Sequence, residues 1–233
     1  MFLPTTPEER LDYIQERIQK AAISAGRKSK HITIVAITKS FPAQIWEQAM
    51  NLNLKTLGES RIQEAREKLQ KFKKRDKIEL HFIGHLQSNK ARRAIELFDV
   101  IQTIDSKKLA RKINYICGES DKKQNIYLQV NTGADPNKHG VSIKNAISAA
   151  REITKMENLT LNGIMTITPQ NTSEKELSYI YKKTRLIRDE IREKVNRNCY
   201  NVSMGMSNDY EIAIAEGATH VRIGAGIFGD RPK

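Results

Sequence analysis

The feature that most constrains the fold of this chain is a repeated alternation of short apolar segments with amphipathic helical segments. The first apolar segment, residues 32–38, is uncharged and rich in Ile and Thr, which is typical of a strand buried on both faces. Because parallel strands need long crossover connections, usually helices, the alternation predicts a parallel sheet covered by helices. The predicted strands are residues 32–38, 56–59, 80–84, 100–105, 126–131, 161–166, 200–204 and 221–224.

Helical periodicity fills most of the intervals between these strands, and an extra N-terminal helix is predicted at about residues 7–25. The other predicted helices are residues 42–52, 62–72, 89–98, 107–117, 143–157, 173–195 and 209–216. Eight strands with intervening helices in 233 residues, slightly under the roughly 250 typical of the class, favour an α/β (β/α)8 barrel. An open doubly wound sheet is the alternative.

The composition predicts one domain spanning residues 1–233, since 39% of residues are hydrophobic and no linker or low-complexity stretch divides the chain. The first ten residues acquire charge before an apolar run of signal-peptide length, and no later segment approaches a membrane span. We therefore expect a soluble, cytoplasmic protein. Cys117 and Cys199 lie far apart without metal-ligand spacing, so both are expected to be reduced and structural.

The formal net charge of +13 raises nucleic-acid binding as a rival function. The basic residues are mostly spread over predicted helices, as at 61–77 and 182–197, where Glu and Asp interleave with them as on solvated faces. Aromatic residues do not alternate with the basic runs, so a base-stacking platform is unsupported. A nucleic-acid partner is therefore not expected.

The barrel interpretation predicts that functional residues gather at the C-terminal ends of the strands. Polar residues do end or directly follow the predicted strands at these positions: Lys39, Glu59-Ser60-Arg61, His85 to Asn89, Asp105, Asn131, Thr166, Ser203 to Ser207, and Arg222 to Gly224. Some of this pattern reflects helix capping, and we interpret Asp105-Ser106 and Asn208-Asp209 as caps.

Lys39 stands out because it ends the first buried strand. Desolvation lowers the pKa of an amine, and a neutral amine can condense with a carbonyl group. The competing interpretation is that Lys39 only extends its ammonium group to solvent from a strand end.

A glycine-rich segment, Gly224-Ala-Gly226-Ile-Phe-Gly229, follows the last predicted strand and matches the G-x-G-x-x-G pattern. A dinucleotide site also needs a following helix and an acidic residue about 20 positions on, which the four residues after Gly229 do not supply. In barrels, the loops after strands seven and eight commonly bind phosphate. The segment, together with the Ser207 hydroxyl, therefore predicts a compact phosphate site.

An amine able to condense with an aldehyde and a phosphate site at the same barrel end suggest one ligand carrying both groups, pyridoxal 5′-phosphate (PLP). Arg222, on the last strand, is placed to reach a ring nitrogen. Because arginine stays protonated and donates hydrogen bonds, it should keep that nitrogen unprotonated. A ring held in that state is a weaker electron sink for carbanion chemistry.

Six motifs in consistent order carry a family resemblance over about residues 10–231. They are Val35-Ala-Ile-Thr-Lys39, Leu57-Gly-Glu-Ser-Arg61-Ile-Gln-Glu64, His81-Phe-Ile-Gly-His-Leu-Gln-Ser-Asn-Lys90, Asn162-Gly-Ile-Met165, Ser203-Met-Gly-Met-Ser207-Asn-Asp209 and Val221-Arg-Ile-Gly-Ala-Gly-Ile-Phe-Gly229. With these motifs the chain resembles the pyridoxal phosphate homeostasis protein family, whose fold is the single barrel of the alanine racemase N-terminal-domain type.

The resemblance implies that Lys39 holds PLP covalently as an internal aldimine, while Ser207 and the segment from Arg222 to Gly224 hold its phosphate and ring. The full set of expected cofactor-binding residues is Lys39, Ser60, Met165, Ser203, Ser207, Arg222, Ile223 and Gly224. Two positions depart from the family pattern, which usually has Asn at Ser60 and Pro at His85. Ser60 can still form a hydrogen bond, but it is shorter than Asn and lacks its amide donor.

The histidines are not expected to bind metal. His85 is interpreted as a solvent-facing loop residue and His81 as a packed one, and the pair has no third ligand at metal spacing.

The expected function is reversible binding of PLP in a carrier that limits the free cofactor concentration, without catalytic turnover, and indirectly affects amino and keto acids. Lys138, in the loop from Gly133 to Gly140, is expected to be solvated on a flexible loop rather than to assist transfer. The expected partners are PLP and, as recipients, apo forms of PLP-dependent enzymes; the protein is expected to be a monomer. The alternatives are a PLP-dependent racemase or lyase and a nucleic-acid-binding protein.

Overall fold

A computed structural model describes residues 4–231, so the outermost positions of the predicted domain, 1–3 and 232–233, lie outside the described residues. The described chain forms a ring of parallel strands surrounded by helices. The strands are β1 (Thr33–Ile37), β2 (Thr56–Glu59), β3 (Glu79–Phe82), β4 (Val100–Ile104), β5 (Gln124–Asn131), β6 (Val141–Ser142), β7 (Leu159–Met165), β8 (Asn201–Met206) and β9 (His220–Ile223).

One helix precedes the first strand, and the others alternate with the strands along the chain. They are α1 (Pro7–Ser24), α2 (Ile45–Asn51), α3 (Ile62–Lys71), α4 (Ala91–Leu97), α5 (Lys107–Glu119), α6 (Ile143–Thr154), α7 (Glu174–Lys194), α8 (Tyr210–Ala215) and α9 (Ala225–Phe228), with short 3-10 turns at Ser29–His31, Arg75–Lys77 and Ser88–Lys90.

The sheet closes on itself, which confirms the (β/α)8 barrel and excludes the open sheet. The strand order is β4-β3-β2-β1-β9-β8-β7-β5, and the additional pairing of β4 with β5 joins the two ends. All of these pairings are parallel. Closure leaves no barrel strand with an unpaired edge and brings the C-terminal ends of all eight barrel strands to one mouth.

The extra N-terminal helix is present as α1. It begins with a capping box, in which the Thr6 side chain accepts from the Glu9 backbone and the Glu9 side chain accepts from the Thr6 backbone. Its buried face, formed by Leu11, Ile14, Ile18 and Ala22, packs toward α8 and α9. This helix therefore covers the barrel next to the last two strands.

Two short elements were not predicted. The strand β6 has two residues and pairs only with the end of β5, while α9 forms a single turn directly after β9. The strand β5 also begins earlier than predicted, at Gln124. The side-chain nitrogen of this buried residue donates to the Phe98 and Asp99 carbonyl oxygens, which offsets part of the cost of burying its amide.

The barrel separates two interiors. The main apolar core lies between the strands and the helices, while a small separate cluster is formed by Val100, Tyr127 and Met165. Cys117 and Cys199 are both buried and unpaired, as expected. Over residues 4–231, the structure contains no helix with the length and apolar character needed to cross a membrane.

Candidate functional site

Lys39 lies at the barrel mouth, two positions after the last residue of β1. Successive strand residues alternate between the two faces of a sheet, so Lys39 shares the face of Val35 and Ile37. Its side chain is half-buried and lines a cavity of about 820 Å³ together with Ser207 and Lys138. Burial lowers the pKa of the Lys39 amine, as expected, and the nearby cations Arg231, Arg222 and Arg61 lower it further.

The backbone on both sides of Lys39 is held by a buried ionic cluster. Lys68 Nζ on α3 donates to the Thr38 carbonyl oxygen at 2.6 Å, and to Glu59 Oε1 and Glu64 Oε1 at 2.7 Å each. The Thr38 hydroxyl donates to Glu59 Oε1 at 2.7 Å. The backbone N–H of Ser40, a residue with a left-handed φ of 65°, donates to Glu64 Oε1. The cluster therefore fixes the turn that carries Lys39.

Lys68 and Glu59 are almost fully excluded from water, with side-chain exposures of 3% and 0%. Burial raises the pKa of Glu59, whereas Lys68 and the Thr38 hydroxyl act in the opposite direction. The prediction that the charges at 61–77 lie on a solvated face is wrong at Lys68. Lys68 and Glu64 are four residues apart, a spacing that is also common for ion pairs on solvated helices. The buried role of Lys68 becomes visible only from its contact with Glu59 on β2.

Arg222 is the charged member of a hydrogen-bonded chain across the barrel interior. It is 5% exposed, and its guanidinium donates to Ser203 Oγ at 2.9 Å and to the Thr166 carbonyl oxygen at 2.8 Å. Both acceptors are neutral. Burial lowers the pKa of Arg222, but the ordinary pKa of a guanidinium is so high that the group stays protonated.

The chain of hydrogen bonds continues from Ser203 to Gln102 and His81, and Gln102 was not identified from sequence patterns. Ser203 Oγ donates to Gln102 Oε1 at 2.7 Å, and Gln102 Nε2 lies 2.6 Å from His81 Nδ1. With the Gln102 amide as donor, His81 accepts on Nδ1 and carries its proton on Nε2, which lies 3.0 Å from Glu79 Oε2. His81 is packed, as predicted, and Gln102 fixes the orientation of Ser203.

A second histidine of the interior, His220, stacks against His81 with ring centroids 6.2 Å apart. Burial and the neighbouring His81 lower the pKa of His220 to about 4, so its imidazole is neutral at pH 7. Tyr127 Oη lies 3.3 Å from His220 Nε2 and provides a hydrogen-bond partner for this buried nitrogen. At pH 7 this ring therefore adds no positive charge to the interior that holds Arg222.

The glycine segment after β9 lies beside Ser207. A Cβ added to Gly226 would lie 3.4 Å from Ser207 Oγ, and one added to Gly224 would lie 3.0 Å from the Ile37 carbonyl oxygen. The segment thus touches both the loop after β8 and the end of the Lys39 strand. The first backbone N–H groups of α9, at Ala225 and Gly226, have no acceptor within their own helix.

The remaining predicted residues lie in three different environments. Ser60 is half-buried at the end of β2 and lines a neighbouring cavity of about 610 Å³ with Arg61 and His85. Met165 is fully buried in the interior cluster. Ile223 is fully buried in the main core, so any contribution it makes to the site comes from its backbone.

The interpretation of Asp105-Ser106 as a helix cap is confirmed at Ser106, whereas neither Asp105 nor Asp209 makes a side-chain capping bond. The cap of α5 is Ser106, whose side chain accepts from the Leu109 N–H. The Asp105 carboxylate instead faces His85, with Oδ2 lying 3.2 Å from His85 Nδ1. Asp209 occupies the N-cap position of α8 without a capping bond and accepts from the Met206 N–H at 2.6 Å.

Comparison with known proteins places the chain in a family. The alanine racemase N-terminal domain family matches residues 10–232. A protein of Aquifex aeolicus named pyridoxal phosphate homeostasis protein is 36% identical over 223 residues, covering 96% of this chain and 97% of that protein. A protein of the same name from Schizosaccharomyces pombe is 33% identical over 227 residues, covering 95% and 92%.

Solved structures agree with this placement. PipY of Synechococcus elongatus PCC7942 without PLP has 30% identity and a TM-score of 0.86, covering 95% of this chain and 99% of PipY. PipY with PLP bound has 27% identity and a TM-score of 0.84, covering 96% and 100%. Alanine racemase of Clostridium difficile 630, at 19% identity and a TM-score of 0.68 over 57% of its chain, shares the fold. This chain belongs to the pyridoxal phosphate homeostasis protein family.

Proposed function

We propose that this protein binds PLP reversibly through Lys39 and thereby takes part in intracellular PLP homeostasis. The observation that carries the proposal is the position of Lys39, which lines one cavity with Ser207. The pKa of its amine is lowered by burial and by nearby positive charges, including that of Arg222. The names of the relatives and the PLP-bound structure of PipY support the same ligand.

The residues of the mouth fit the chemical groups of PLP. Ser207 and the amides of the adjacent glycine segment offer hydrogen-bond donors to a phosphate, and close packing at Gly226 leaves little room for a side chain. The cations Arg61, Arg222 and Arg231 near Lys39 favour an anionic ligand. We propose that Ser60, Met165, Ser203, Ile223 and Gly224 complete the cofactor site.

PLP supplies an aldehyde that can form a covalent C=N bond with a primary amine. Lys39 would supply that amine: its Nζ, when neutral, would form the bond to the aldehyde carbon with release of one water molecule. The ionic cluster of Lys68, Glu59 and Glu64 holds the backbone of Lys39 during this step. Hydrolysis of the same bond returns the amine, so the attachment is reversible.

Arg222 disfavours catalysis on the bound cofactor. Its fixed positive charge, anchored by Ser203 and Thr166, would face a ring nitrogen as a hydrogen-bond donor. An unprotonated ring nitrogen withdraws electrons weakly, so a carbanion on a substrate would gain little stabilisation. We therefore propose a carrier without turnover, acting as a one-domain monomer in the cytoplasm and passing PLP to apo forms of PLP-dependent enzymes.

The carrier proposal is tested by loading the purified protein with PLP and mixing it with an apo PLP-dependent enzyme. We expect the acceptor to regain activity as the absorbance of the loaded protein falls. The same loaded protein, incubated with amino acids and assayed for chiral product or amine release, should show no turnover. Turnover that is abolished by Lys39→Ala would instead establish the racemase or lyase alternative.

A further inference from the structure

A second group of polar side chains at the barrel mouth lies outside the proposed cofactor site. It consists of His85 after β3, Asp105 after β4 and His139 in the loop between β5 and β6. Among residues 4–231, these three form the one group of His, Cys, Asp or Glu side chains whose ligand atoms all lie within 4.8 Å of one another. We call these residues the histidine–aspartate cluster.

The two distances from Asp105 to the histidines fit a shared ion. Asp105 Oδ2 lies 3.2 Å from His85 Nδ1 and 3.9 Å from His139 Nδ1. Two ligands of one zinc ion lie at most about 4.2 Å apart, since each zinc–ligand bond is about 2.1 Å long. Both distances meet this limit without movement of the backbone.

The ligand types select the class of ion. Two imidazoles and one carboxylate form a set that suits divalent transition metals such as Zn²⁺, Co²⁺ and Fe²⁺ and leaves coordination positions open. Mg²⁺ and Ca²⁺ prefer sets made only of oxygen ligands. The cluster therefore favours a transition metal over an alkaline-earth ion.

The loop that supplies His139 is held in place by its backbone. Gln129 Nε2 on β5 donates to the His139 carbonyl oxygen at 2.9 Å, and Asn131 Nδ2 donates to the Lys138 carbonyl oxygen at 3.2 Å. Gly140 adopts a φ of 131°, and a Cβ there would lie 2.7 Å from the Asn131 nitrogen. These contacts hold the backbone of His139 against the end of β5.

The imidazole rings can adjust to an ion. They are stacked, with centroids 3.7 Å and planes 11° apart, so they must rotate for both lone pairs to point at one centre. The side chains of His85 and His139 are 44% and 57% exposed, which leaves room for that rotation. Asp105, at 14% exposure, is the more confined ligand.

The cluster lies between the two cavities of the mouth. His85 lines the cavity that contains Ser60, and Lys138, the residue before His139, lines the cavity that contains Lys39. We propose that His85, Asp105 and His139 bind one divalent transition-metal ion beside the PLP site. The three ligands come from separate loops, so local sequence spacing does not reveal them.

The test is titration of the full-length protein, carrying no histidine tag, with Co²⁺ alone, followed by visible absorbance and by calorimetry with Zn²⁺. The titration is run on cofactor-free and PLP-loaded protein, because PLP itself can chelate metals. We expect one ion per chain in both forms and new visible bands from coordinated Co²⁺. His85→Gln, His139→Gln and Asp105→Asn should each weaken binding by about 100-fold or more, since even outer-shell partners are worth 10–100-fold.

His31→Gln is the matched control, because His31 is an exposed histidine on the 3-10 turn before β1 and lies outside the cluster. It should bind Co²⁺ as tightly as the parent protein. Thermal unfolding identifies any variant that has lost its fold, and Asp105→Asn preserves side-chain size for that reason. Binding that persists in folded His85→Gln and His139→Gln, or that is absent from the parent protein, would show that the cluster is only a hydrogen-bonded pair of histidines sharing a carboxylate.

Discussion

At the residue scale, the chemistry of Lys39 depends on the cost of charging its amine. The amine is half-buried, and three arginines disfavour the ammonium form. A group whose pKa is lowered in this way presents more neutral amine at a given pH than a solvated lysine does. The rate of cofactor capture should therefore rise with pH and reach half of its maximum below the ordinary lysine pKa of 10.5.

Arg61→Gln should shift this pH profile upward. Arg61 is exposed and follows β2, and its charge is one cause of the lowered pKa of Lys39. Its removal lets Lys39 hold a proton to higher pH, so the midpoint of PLP capture moves to higher pH by a few tenths of a unit, as for a screened charge. Stopped-flow absorbance across a pH series measures the midpoint.

Arg66→Gln on α3 provides the matched control for Arg61. It removes an equal, exposed charge that is not among the main causes of the Lys39 shift. An equal upward shift in both variants, or a downward shift in Arg61→Gln, contradicts the assignment.

At the element scale, β1, β2 and α3 are joined by the ion pairs of Lys68. Lys68→Met should lower the free energy of unfolding by about 3–5 kcal/mol, because Glu59 would remain buried without its partner. Denaturant unfolding measures the change. The double variant Glu59→Leu with Lys68→Met should recover much of the loss, since a buried ion pair can be replaced by packed apolar groups.

Lys71→Met is the control on the same helix, because Lys71 is exposed. It should change the free energy of unfolding by no more than about 0.5 kcal/mol. A cost for Lys68→Met equal to that of Lys71→Met would show that the cluster does not stabilise the barrel.

The elements also show what sequence can predict. Hydrophobic periodicity located the eight barrel strands and the helices that follow them, because burial repeats every two residues in a strand and about every 3.6 in a helix. It did not locate β6, whose two residues are strand only through pairing with β5. Positions such as Lys39 were identified because an unusual residue ended a strand. Gln102 and His139 were missed because their partners lie far away in sequence. Lys68 was missed because burial against Glu59 on β2 depends on how α3 packs on the barrel.

At the scale of the whole molecule, the buried, neutral imidazole of His220 makes stability depend on pH. The pKa of His220 is about 4 in the folded protein against 6.5 for the ordinary group, owing to burial and to His81 and Arg222, with Glu79 acting in the opposite direction. Between pH 6.5 and pH 4 the unfolded chain binds a proton that the folded protein does not. The free energy of unfolding should therefore fall by about 3 kcal/mol as the pH is lowered through this window.

Urea unfolding of the parent protein and His220→Gln over this pH range measures the effect. The variant should lose less stability on acidification, whatever its stability at pH 7. His31→Gln, which removes an exposed histidine, should retain the parent slope. Equal slopes in all three proteins would mean that another group controls the acid response.

The attachment of PLP to Lys39 is tested most directly by reducing the PLP-loaded protein with borohydride, digesting it and mapping the modified lysine by mass spectrometry. Reduction converts the C=N bond into a stable amine, so the label remains on the residue that held the cofactor. We expect one label per chain, on Lys39, and none in Lys39→Ala under the same conditions. A label on Lys138, which lines the same cavity, or labels dispersed over several lysines would contradict the central claim.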